Sequence, residues 1–237
     1  MLIHGPSLAI GAAIASVTLV VAFLGFSMIN DEPELVIEPV QNSQPTIPPS
    51  VISSTFMANG SPILGDPNAP VTLVEFGDYQ CHFCNVHFHN TEHSLVENFI
   101  QTGKVKMIFK DFTIIGPDSI NAAHGAHCAN DQGKFWQYHD ILYNNWTGEN
   151  NGWASSANLL RFAQEIELDV DDWSECMLDA RHSQIITDSS KDARELGITG
   201  TPAFFVIGPD NKITKISGAQ PYERFEQIFN AELEKVS

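Results

Sequence analysis

Two cysteines three positions apart, Cys81 and Cys84 in Cys81-His82-Phe83-Cys84, end the stretch VTLVEFGDYQCHFC. That pairing points to dithiol chemistry. The apolar, β-branched run from Val71 to Phe76 predicts a buried strand, and the residues after Cys84 change to a helical pattern. Cys81 therefore falls at a helix N-terminus, where unpaired backbone N–H groups and the macrodipole favour a thiolate. The thiolate is the species that attacks a disulfide. Cys84, one helical turn later, is near enough to close a short ring with Cys81, and burial would keep it from outside partners.

Half of a zinc or copper site is the competing reading of a C-x-x-C. A closed zinc site takes four ligands, usually from two close-spaced pairs, whereas Cys128 and Cys176 are single and far apart. Histidines could still make up the number. His87, His89 and His93 follow the dithiol, and His89 with His93 have the i, i+4 spacing that can share an ion. No third ligand stands at a telling position, so the expectation is solvated histidines and no metal.

These groups need elements to position them. The chain has 237 residues, enough for a sizeable core, and carries a net charge of −17 with all twelve Lys and Arg from Lys104 onward. A phosphate backbone would be repelled, which excludes nucleic acid as a partner. Leu8 to Ile29 is uncharged and mostly apolar, long enough to cross a hydrocarbon core. No basic n-region precedes it and no clear cleavage site follows, so residues 1–30 are expected to be an uncleaved membrane anchor rather than a signal peptide. Residues 31–59 turn to Glu, Pro, Gln, Ser and Thr, a composition that cannot bury a core and predicts an extended tether. Four cysteines with a plausible disulfide pair place the remainder outside the cytoplasm.

The folded part is expected over 60–237. A short strand around Ile63 precedes the strand at Val71 to Phe76; a helix ends at Gly103; Lys104 to Phe112 reads as a second core strand. From about 117 to 196 only helical periodicity appears, enough for about four helices. Strands return at Ala203 to Gly208 and Lys212 to Ser217, and a helix from Pro221 to about Leu233 closes the chain. This order is an α/β layer arrangement with a helical insertion.

Three stretches, VEFGDYQCHFC, HCANDQGKFWQYHDILY and GITGTPAFFV, occur in an order that resembles the DsbA-like branch of the thioredoxin-fold thiol-disulfide oxidoreductases. The resemblance implies a thioredoxin fold with a helical insertion, and it leaves out the anchor and tether. It further implies that Thr201-Pro202 is the family's cis-proline, with Thr201 offering its backbone to a bound polypeptide. An X-Pro bond opening a strand permits this, and backbone pairing recognises clients broadly. Glu75, six residues before Cys81, matches the family's buried acid, able to shuttle the proton of Cys84. His82 departs from the family pattern, which places histidine just before the second cysteine, where Phe83 stands here; a cationic His82 could still stabilise the Cys81 thiolate. Resemblance also implies a structural Cys128–Cys176 disulfide.

The expected activity is introduction of disulfides into unfolded or partly folded exported polypeptides. A DsbB-like or VKOR-like membrane protein is the implied reoxidant, and no organic cofactor is needed. A reductase or isomerase of the same fold, or a metal-binding thiol module, are the alternatives.

Overall fold

The computed structural model describes residues 53–236; the apolar run at Leu8 to Ile29 and most of the predicted tether lie outside them. Strand β1 (Val71–Gly77) is buried along its whole length. Its unbroken apolar run is explained by its place in the sheet, between neighbours on both edges and with packed layers on both faces. The order is β2–β1–β3–β4, with β2 (Val105–Asp111), β3 (Ala203–Ile207) and β4 (Ile213–Ser217). β1 runs parallel to β2 and antiparallel to β3, and this register sets Glu75 between Phe109 and Phe204.

Residues 82–100 form the helical connection from β1 to β2, called α1 here. It alternates α-helical segments (His82–His87, His93–Leu95) with wider π turns (Phe88–Glu92, Val96–Ile100). A π turn adds a residue to the helical repeat. The result is that His87, Phe88, Thr91 and Glu92 all turn inward, while His89 and His93 are exposed.

The helical block holds five helices among the described residues, where periodicity predicts about four: α2 (Pro117–Asn130), α3 (Phe135–Asn144), α4 (Ser156–Glu165), α5 (Val170–Leu178) and α6 (Ser183–Glu195). The short α5 has few buried positions to register in a pattern, and its signal is instead a cap. The Asp169 side chain accepts from the N–H groups of Asp171 and Asp172, satisfying orphan donors of the first turn. Cys128 on α2 and Cys176 on α5 are disulfide-bonded, with 5.8 Å between their Cα atoms. The final helix is α7 (Tyr222–Leu233).

Two boundaries differ from the sequence reading. The strand expected around Ile63 is a single bridge, Leu64 with Met107; Pro62 lacks a donor and Gly65 turns at φ 94°, so no ladder extends from it. The ordered packing also begins before Gly60. Phe56 is 1% exposed and sits 5.0 Å from the Phe205 ring. Lys110, buried on β2, donates its Nζ to the carbonyls of Thr55 (2.9 Å) and Ala58 (2.6 Å) and to Asp192 (2.7 Å). A buried ammonium must be surrounded by oxygens, and residues 53–59 supply two of them. No described helix is long and apolar enough to cross a membrane.

Candidate active site

The turn from β1 into α1 is built on Asp78. Its Oδ1 accepts from the N–H of Gln80 (2.8 Å) and its Oδ2 from those of Ile114 (2.9 Å) and Ile115 (3.1 Å). The Cys81 N–H closes the turn on the Asp78 carbonyl at 2.9 Å. Burial raises the Asp78 carboxyl from its usual range, against the pull of these bonds. The helical block grips the same turn: Trp146 donates to the Gln80 carbonyl at 2.8 Å, and the Gln80 side chain reaches Ser119 at 3.0 Å.

Cys81 is the cap residue of α1, in extended conformation at φ −67° and ψ 124°. Cys81 and Cys84 are free thiols, 6% and 1% exposed respectively. A hydrogen bond from the Cys84 thiol brings the Cys81 thiol down to about 6. Burial opposes this, while the Thr201 side chain and the backbone N–H groups of Cys84 and Phe83 add to it. Cys84 moves the other way, pushed well up by burial, then by the Cys81 sulfur and Glu75. One sulfur is thus set to be an anion and the other to hold its proton.

Thr201-Pro202 is a cis peptide. It lies against the nucleophile: the Cys81 thiol donates to the Thr201 carbonyl at 3.3 Å. Behind it is a groove of about 220 Å³ lined by Ile198, Gly200, Thr201, Lys215 and Gly218. Phe83 beside the cysteines is 60% exposed, and Ile114 is 43% exposed.

Glu75 is 1% exposed. Burial raises its pKa well above the carboxylate range, and the neighbouring Glu92 and Cys81 raise it further. His87 Nε2 is 3.9 Å from Glu75 Oε2, and burial lowers this imidazole to about 4. Glu75, His87 and Glu92 bring ligand atoms within 4.8 Å of one another and could hold an ion. His82 directly follows the nucleophile, in the first turn of α1. It is exposed, its ring lies 5.6 Å from Trp146 and its N–H donates to Glu149 at 3.1 Å. His93 Nδ1 lies 3.1 Å from the Phe88 carbonyl, and Cys128 and Cys176 are used up in their disulfide.

Asp78, His87 and Glu92 belong to the site and were missed by sequence reasoning. An acid three residues before the first cysteine was a signal for Asp78. His87 and Glu92 are five apart, a separation no 3.6-residue template brings to one face.

A family model described as Thioredoxin matches residues 57–231. The chain belongs to the thioredoxin family. Among curated relatives of this thioredoxin-family chain, the probable disulfide bond formation protein D of Bacillus anthracis is 32% identical over 149 residues, 61% of this chain and 69% of that one. The Na(+)/H(+) antiporter NhaA 1 of Salinispora arenicola is 32% identical over 148 residues, but the match spans 62% of this chain and only 21% of the antiporter. The chain thus spans about a fifth of the length of the NhaA relatives it matches. Among solved structures, oxidised BdbD from Bacillus subtilis superposes with a TM-score of 0.66 at 25% identity, covering 73% of this chain and 93% of that one. α-DsbA1 from Wolbachia pipientis gives 0.66 at 26% identity, covering 75% and 92%. These neighbours are DsbA-like proteins, and the chain is similar to them in fold.

Proposed function

We propose that this chain introduces disulfide bonds into exported polypeptides outside the cytoplasm, with Cys81 and Cys84 as the redox pair. The reading is carried by the split between the two sulfurs: Cys81 brought down to about 6 and Cys84 pushed up. A sulfur that is stable as an anion is a good leaving group, and a dithiol whose reduced form is stabilised makes an oxidising disulfide.

The exchange starts from the Cys81–Cys84 disulfide. A client thiolate attacks Cys81 Sγ; the bond to Cys84 breaks, and its electron pair leaves with the Cys84 sulfur. Cys84 takes a proton because burial disfavours its anion, and Glu75, holding a proton well above the usual carboxylate range, supplies it. A second client thiolate then attacks the client sulfur of the mixed disulfide and expels Cys81 as thiolate. Two electrons have moved from client to enzyme. Thr201 and Pro202 hold the client backbone beside Cys81 through strand-like pairing. Reoxidation is assigned to a DsbB-like or VKOR-like membrane protein, and the apolar run at Leu8 to Ile29 to a membrane anchor.

The test is the reduction potential of the pair in glutathione buffers. A value near or above about −150 mV supports the oxidase; one near or below about −250 mV makes the chain a reductant and overturns the reading.

A further inference from the structure

A cavity of about 450 Å³ lies between α1 and α3, with Glu92, His93 and Glu97 on one side and Trp136 and Asp140 on the other. Three of these residues are carboxylates, and no Lys or Arg is among the described residues lining it. Such an uncompensated wall attracts a cation. His139 on α3 supplies the second observation. It is wholly buried, its Nδ1 is 3.1 Å from the Tyr79 hydroxyl, and its Nε2 is 3.4 Å from Glu92 Oε1 without a hydrogen-bond partner. With the Tyr79 hydroxyl donating to Nδ1, Nε2 carries its proton toward Glu92 at an angle that makes no hydrogen bond. A metal ion would take that proton's place between the imidazole and the carboxylate.

We propose that Glu92 and Asp140 on the cavity wall, with His139 buried behind them, bind a divalent zinc-class ion. One ligand atom from each lies within 4.8 Å of the others, the spread that ligand bonds of about 2.0–2.2 Å allow after small closure. One imidazole with two carboxylates selects a borderline transition metal over calcium, which takes six to eight oxygens. Tyr79 orients the ring from behind, as the outer partner of a metal-bound histidine does. Exposed Asp140 stands at the mouth, and the cavity leaves a coordination position for water. The ion ties α1 to the helical block and uses neither cysteine, and it shares Glu92 with the buried group around Glu75.

The full chain, oxidised at Cys81–Cys84 so that no free thiol can ligate, is stripped with chelator and titrated with zinc chloride by calorimetry. One zinc per chain is expected, with a raised Tm for the loaded protein. Asp140→Asn, a surface change, is expected to weaken binding at least tenfold without moving the Tm of the metal-free protein. Glu92→Gln should lose the site, and His87→Phe should keep it. The assignment is overturned if the oxidised chain takes up no stoichiometric zinc, or if Asp140→Asn binds as tightly as the parent. Loss with His87→Phe alongside unchanged binding by Asp140→Asn would put the ion in the inner group of Glu75, His87 and Glu92, and overturns it as well.

Discussion

At Cys81 the thiol is brought to about 6 from an unperturbed value near 8.5. Iodoacetamide alkylation of the reduced protein is therefore expected to follow a single ionisation with midpoint near 6, with Cys84 unmodified; a midpoint above 8 would remove the thiolate from the mechanism. The sign of the linked stability follows from the same shift. A depressed folded pKa stabilises the reduced protein fully above the unfolded value, and that gain disappears as pH falls through about 6. Denaturation midpoints of reduced and oxidised forms should accordingly draw apart, in favour of the reduced form, between pH 6 and 8. Glu75 is the opposite case. Its raised pKa means that ionisation works against the fold as pH rises. Glu75→Gln should raise Tm at pH 8 while slowing mixed-disulfide formation about 100-fold, the low end for a positioned acid. Equal rates in stopped-flow exchange would show that Cys84 takes its proton elsewhere.

Among elements, the strap at residues 53–59 depends on one ion pair. Lys110 has a fully buried side chain, and Asp192 meets it at 2.7 Å. Burial lowers the Lys110 pKa, with Asp192 acting against this. Asp192→Ala leaves an ammonium short of its anion, and a loss of about 3–5 kcal/mol is expected in urea unfolding; a change under 1 kcal/mol would mean the carbonyls of Thr55 and Ala58 suffice. This strap also shows why legibility was uneven. β1, β2, β3, β4 and the closing helix α7 were readable because their apolar runs are continuous or evenly spaced. The start of the packing was not, since Phe56 is a lone aromatic behind a Pro-rich stretch and Lys110, which holds the carbonyls of Thr55 and Ala58, looks like a surface residue in sequence. Likewise the cysteine pair and the Thr-Pro were readable from local motifs. Glu92 and His139 were not: a π turn and a tertiary approach bring them together, and neither leaves a mark in spacing.

For the whole molecule, the Cys128–Cys176 bond closes a separation of 48 residues within the helical block, worth about 4 kcal/mol on the chain-entropy model. Replacing both with alanine should lower unfolding stability by about that amount and leave the Cys81–Cys84 potential unchanged; a shifted potential would make the second pair part of the redox circuit. The recess of Cys81 has a further meaning. A sulfur only 6% exposed, under the Thr201 carbonyl, can be reached by a cysteine on a slack, extended segment and not by one fixed in a finished surface. Under the proposed oxidase function, access would then read the age of a client: a chain still slack would be oxidised, a finished one would pass by, and the site would work as a clock on how long a client has had to fold.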